Sequence, residues 1–215
     1  KLEPPALVVV GEVVRLRERL NWFESKPLFG KRVLVTRAPD QAGDLSDLLA
    51  EQGAEPIECP TIQIVGPETW EPLDHAIREL SRFRWVVFTS VNGVRFFMER
   101  LRQARKDARA LSGATICAIG PKTAEALSSV GLTADLVPAE YQAEGLLDSL
   151  LQAGISAGDH VLIPRAAVAR ALLPDQLRAM GVEVRVVPAY QTIRPTTDLA
   201  DVKEWLATNT IHLIT

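Results

Sequence analysis

The chain has 215 residues, 47% hydrophobic and 24% charged, the composition of a folded protein with room for one large or two small domains. A net charge of −3 and only 6% aromatic residues argue against a nucleic-acid surface, which needs a basic face and stacking rings. The longest apolar run, residues 4–10, is too short to span a bilayer, and no signal-peptide cleavage pattern follows it.

Residues 7–10 read as a strand, followed by a short basic helix and a linker reaching residue 30. This stretch stands outside the pattern of the rest and looks like the tail of a preceding domain. Further strand-like runs follow at 32–36, 57–65, 85–89, 115–119, 134–137, 160–163, 182–187 and 211–214. Helical periodicity fills the gaps at 45–52, 73–80, 94–105, 123–130, 144–152, 172–180 and 199–207. Several strands are continuously apolar, as parallel strands covered on both faces are. The alternation of strand and helix therefore predicts an α/β fold with parallel sheets. Gly53, Gly131, Gly154 and Gly181 each stand where a helix should stop.

An internal repeat organises these elements. Residues 33–63 align without gaps on residues 161–191, a constant offset of 128, with eleven identities in thirty-one positions; chance gives about two. Arg37 falls on Arg165, Gly53 on Gly181, Pro60 on Pro188 and Gln63 on Gln191, whereas Tyr190 falls on Ile62. A second stretch, 73–89, matches 199–215 at offset 126. Two similar α/β lobes are expected. The second copy stops at a strand where the first runs on into Ser90 and a helix, so a natural C-terminal portion is expected beyond Thr215.

Familiar catalytic signatures are missing. The Lys-Thr pair in Gly120-Pro-Lys-Thr lacks P-loop spacing, no GxGxxG stands in the chain, and the GxSxG string at 154–158 precedes a strand instead of following one, so no nucleophile elbow is present. His75, His160 and His212 have no metal-ligand spacing. Cys59 and Cys117 sit in apolar runs, as buried reduced thiols of a cytoplasmic protein do. The basic run 95–109 reads as a solvated helix face. What recurs is a hydroxyl or a base at a strand's carboxyl end: Thr36-Arg37, Thr89-Ser90, Lys122-Thr123 and Pro164-Arg165. Open α/β sheets bind ligands at these ends, where helix N-termini favour anions. The same hydroxyls also suit plain helix caps. Tyr190 is either a half-buried strand aromatic or a phenol able to donate a proton or hydrogen bond to a ligand.

The runs KRVLVTRAPDQAGDLSDLLAEQGAEPIECPTIQI, RWVVFTSVNGVRFF, TICAIGPKTAEAL, YQAEGLL, HVLIPRA and AYQT resemble, in this order, the uroporphyrinogen-III synthase family over residues 31–215. PALVVVGEVVRLRERLNWFESKPLFG resembles the end of a uroporphyrinogen-III C-methyltransferase, a domain fused ahead of the synthase in some bacteria. The resemblance implies two parallel-sheet lobes joined by a two-stranded connection, with a cleft between them. Residues 1–30 would be the methyltransferase remnant and linker. Residues 31–56 with 195–215 would form the first lobe, 57–65 and 184–194 the connecting strands, and 66–183 the second lobe. It implies closure of hydroxymethylbilane, a linear tetrapyrrole polycarboxylate, to uroporphyrinogen III with ring D inverted and water lost. No metal or organic cofactor is implied, and the partners expected are this substrate and the fused methyltransferase, not nucleic acid or membrane. By the resemblance Tyr190 is the proton donor, Thr89, Ser90 and Thr123 hold acetate or propionate groups, and Arg37, Lys122 and Arg165 make electrostatic contacts. A two-lobed small-molecule receptor without catalysis is the alternative.

Overall fold

Each copy of the repeat folds as a strand, a helix and a second, parallel strand. The computed structural model describes residues 7–196 and 200–215. The first copy gives β1 (Arg32–Val35), α2 (Pro39–Glu51) and β2 (Glu55–Glu58), after a 3₁₀ turn (Glu12–Leu16) and a short helix α1 (Arg17–Leu20). The second gives β6 (His160–Ala166), α7 (Leu172–Ala179) and β7 (Glu183–Ile193). The offset of 128 holds in register: Arg32 pairs with Glu55, and His160 with Glu183. Side chains meet in both pairs, Arg32 Nε and Glu55 as an ion pair at 2.9 Å and His160 Nδ1 beside the Glu183 carboxylate at 3.1 Å. Gly53 and Gly181 follow the two helices with φ of 89° and 81°, a left-handed turn that a side chain would strain.

Between the copies lie β3 (Gln63–Val65), α3 (Glu71–Arg78), β4 (Trp85–Phe88), α4 (Val91–Gln103), β5 (Thr115–Ala118), α5 (Pro121–Ser129) and α6 (Ala143–Gln152). After them come α8 (Ala200–Ala207) and β8 (Leu213–Ile214); the first residue of the helix expected at 199–207 lies outside the described residues. Two compact units result, Lys1–Gln63 with Arg194–Thr215, and Ile64–Ile193. The first carries the sheet β2-β1-β8, the second β3-β7-β6-β4-β5. The pairings of β1 with β2 and β8, of β4 with β5 and β6, and of β6 with β7 are parallel, so the expected parallel α/β fold is what the chain adopts.

The larger sheet is buried on both faces, which is why its strands read as unbroken apolar runs. Val86, Phe88, Ile116, Ala118 and Leu162 face α3, α4 and α5. Trp85, Val87, Cys117, Val161 and Ile163 face α6 and α7. Burial around Cys117 pushes its thiol up to about 12, so it packs as an apolar group. In the smaller unit, Val33, Val35 and Ala42 close a core with Leu45 and Leu49, the inward stripe of α2.

Four readings need correction. Residues 134–137 form no strand, and Leu136 makes only an isolated parallel bridge to Cys117. Residues 7–10 form no strand, and Leu7 to Val10 are exposed; an apolar run with no neighbouring strand has no ladder to join. The single strand expected at 57–65 is two, β2 and β3. Cys59 and Thr61 still donate backbone N–H bonds to Val35 and Thr36, but residues 59–62, Pro60 among them, leave strand geometry before β3 begins. The second repeat match is two residues out in strand register, because Val33 pairs with Leu213 as Val161 pairs with Trp85, again 128 apart. A shift of two keeps every side chain on its own face, so the sequence pattern cannot tell the two registers apart. Among the described residues no helix is long and apolar enough to cross a membrane.

Candidate functional site

The parallel strands of the larger unit end together, and their carboxyl ends carry most of the expected residues. The apolar run of β4 stops at Phe88, and Thr89 and Ser90 follow. Ser90 is extended and caps α4, its Oγ accepting the Gly93 N–H at 3.0 Å. The cap is tight because residue 93 has no side chain: a Cβ there would stand 3.0 Å from the Pro164 carbonyl oxygen and 3.2 Å from Ser90 Oγ.

Tyr190 comes to the same place from β7. Its hydroxyl lies 3.1 Å from Ser90 Oγ. Its ring is 9% exposed and belongs to the core facing α3, α4 and α5. Phe96 stacks on it with centroids 6.0 Å apart and planes 14° apart, and Trp70 lies 6.3 Å beyond Phe96. One irregularity aims the tyrosine. Arg165 pairs with Pro188 but Ala166 with Tyr190, a bulge that moves β7 on by one residue. The Tyr190 carbonyl then accepts the Ala167 N–H at 2.8 Å.

Arg165 closes the end of β6. Its two terminal nitrogens donate to the Arg170 and Ala169 carbonyls, each at 2.7 Å. Its Nε is buried without a hydrogen-bond partner among the described residues. Burial, reinforced by Arg178, holds this guanidinium below the usual arginine range, with Asp175 and Tyr190 pulling the other way. Beside it opens a cavity of about 340 Å³, lined among others by Thr89, Ile119, Tyr141, Ile163, Arg165 and Leu173. Residues at the start of α6 and just before α7 complete its rim.

The structure thus brings together Tyr190 with Ser90, and Thr89 with Arg165. Thr123 sits in the first turn of α5, 4% exposed, with no side-chain hydrogen bond among the described residues. Lys122 is exposed and pairs with Glu125 at 3.2 Å. Arg37 belongs to the other unit and is exposed. Phe96, Gly93 and the bulge escaped the sequence reading. No motif marks a residue whose partner is 94 positions away, as Tyr190 is from Phe96.

Hydroxyls, a capped helix and an arginine stand at the carboxyl edge of a parallel sheet in this α/β protein, the edge at which open α/β sheets generally hold ligands. More particularly, the chain belongs to the uroporphyrinogen-III synthase HemD family, whose profile matches residues 43–215. It is 35% identical over 192 residues to the porphyrin biosynthesis protein HemD of Ruminiclostridium josui, covering 89% of this chain and 38% of that protein. It is 36% identical over 171 residues to the uroporphyrinogen-III synthase of Synechococcus elongatus, covering 79% of this chain and 64% of that one. The chain therefore spans less than two thirds of either relative. Its fold is similar to a crystal structure of a mutant uroporphyrinogen-III synthase from Thermus thermophilus, with a TM-score of 0.62, 19% identity, and 86% of this chain and 71% of that chain covered.

Proposed function

We propose that this chain carries out the uroporphyrinogen-III synthase reaction, a lyase step in porphyrin biosynthesis, with Tyr190 as its proton donor. The reading rests on family membership and on one observation: a nearly buried phenol held by a hydroxyl at the carboxyl edge of the sheet. The Tyr190 O–H bond breaks as its proton passes to the terminal hydroxyl of hydroxymethylbilane. The C–O bond breaks, water leaves, and an azafulvene cation remains opposite the phenolate. Ring D attacks through a spiro intermediate. The proton lost when the macrocycle regains its pyrroles returns to the phenolate, so the net change is loss of one water. The substrate is intrinsically reactive once water departs, and the protein contributes orientation and charge stabilisation. Thr89, Thr123 and Lys122 are assigned to the substrate's carboxylates. Residues 1–30 are assigned to the tail of a preceding C-methyltransferase domain, on their resemblance to its end. A reducing cytoplasm suits the two buried free thiols.

The test supplies hydroxymethylbilane and analyses the isomer formed. Type III product is expected from the chain, and Tyr190→Phe should lower kcat about 10²-fold, the lower end of general-acid catalysis, with the fold unchanged. Type I product alone, which forms without an enzyme, overturns the reading. An unchanged rate in Tyr190→Phe removes the tyrosine from it.

A further inference from the structure

Ser90 was expected to hold a carboxylate of the substrate. Its hydrogen bonds in the structure run to protein groups. A serine hydroxyl has one proton and two lone pairs. One lone pair is taken by the Gly93 N–H at 3.0 Å, which ties Ser90 Oγ to the first turn of a 13-residue helix. On its other side stands Tyr190 Oη at 3.1 Å. While the tyrosine is neutral, either hydroxyl can donate to the other. Once the phenol has lost its proton only one arrangement remains, with Ser90 donating, because a phenolate oxygen accepts and has nothing to give. In that arrangement Ser90 is itself polarised by the helix N–H it accepts and by the positive end of α4. Ring and oxygen are thus fixed by separate contacts: Phe96 sets the plane of the ring, and Ser90 the direction of the hydroxyl.

We propose that Ser90 is a positioning residue that acts through Tyr190, coupling the α4 N-terminus to the phenol and stabilising the phenolate left by proton donation. The proposal deepens the synthase reading and rests on it for the role of Tyr190. The charged groups that contact the ring's neighbours include Arg165 of β6, Arg95 of α4 over Phe96, the Asp74–Arg100 pair of α3 and α4 against Trp70, and the Asp175–Arg178 pair of α7 near Arg165.

The chain has two tyrosines, so Tyr141→Phe leaves Tyr190 as the sole chromophore for a tyrosinate absorbance titration, with circular dichroism followed in parallel. In that background Ser90→Ala should raise the midpoint by about one pH unit, the scale of a hydrogen bond to a charged group. Ser90→Asp keeps a good cap but cannot donate and adds a negative charge, so it should raise the midpoint further. Ser90→Thr should restore it. In the isomer assay Ser90→Ala should lower kcat about tenfold at unchanged KM, and cost nothing more in a Tyr190→Phe background. Midpoints that do not move in the Ala and Asp variants overturn the proposal. So does a raised KM with kcat kept, which returns Ser90 to the substrate. If the parent chain yields only type I product, the synthase reading fails, while the titration still decides whether Ser90 governs Tyr190.

Discussion

Arg165 offers a sharp test of how side chains at the sheet edge divide between substrate and scaffold. In the structure its terminal nitrogens staple the loop after β6 through two carbonyls at 2.7 Å, and its Nε is buried without a hydrogen-bond partner among the described residues. Arg165→Met deletes two hydrogen bonds from a charged donor, about 1.5–3 kcal/mol each, and also removes an unsatisfied buried donor that costs about 1–3 kcal/mol. The difference leaves a loss of about 2 kcal/mol, centred on the loop. That loop is exposed, Val168 to 93%, and Arg170 gives trypsin a cleavage site within it. Cleavage from a locally opened state tracks the opening equilibrium, so about 2 kcal/mol should speed cutting after Arg170 about thirtyfold. Arg165→Lys, which lacks the two-pronged geometry, should fall between the two. The reasoning is refuted if Arg165→Met is cut at the parental rate and its KM for hydroxymethylbilane rises; the guanidinium would then belong to the substrate.

Two further outcomes follow from close contacts. Gly93→Ala gains about 1 kcal/mol of helix propensity but sets a Cβ 3.0 Å from the Pro164 carbonyl oxygen and 3.2 Å from Ser90 Oγ. Denaturant unfolding should change by less than about 1 kcal/mol while kcat falls about tenfold as the cap shifts away from Tyr190; a stabler variant with full activity would contradict this. The Arg100 guanidinium, donating to Asp74 from Nε at 2.6 Å, holds that carboxyl below the usual range despite the opposing effect of burial. A depressed pKa stabilises the fold above the unfolded value and is lost as pH falls through the folded one. Asp74→Asn should therefore be less stable by about 1 kcal/mol at pH 7, with the gap closing below about pH 4, and a gap independent of pH in unfolding curves would rule the ion pair out.

The order of elements was open to reading because it rests on local physics. Apolar runs with glycine stops mark parallel strands and helices wherever they occur, and the 128-residue repeat carries the pairing of Arg32 with Glu55 onto His160 with Glu183. Candidate hydroxyls and bases were legible for the same reason, as they follow strand ends. What each side chain touches was not legible. Arg165 and Arg37 are equivalent in the repeat, yet Arg165 is bound up with the carbonyls of its own loop and Arg37 is exposed. Ser90 and Tyr190 stand 100 residues apart and meet only because β4 and β7 flank β6 in one sheet and a bulge turns the tyrosine toward the α4 cap. Periodicity assigns a residue to a face of its own element. The neighbour waiting there is settled by strand order, register and the single extra residue of a bulge, which only the folded chain decides.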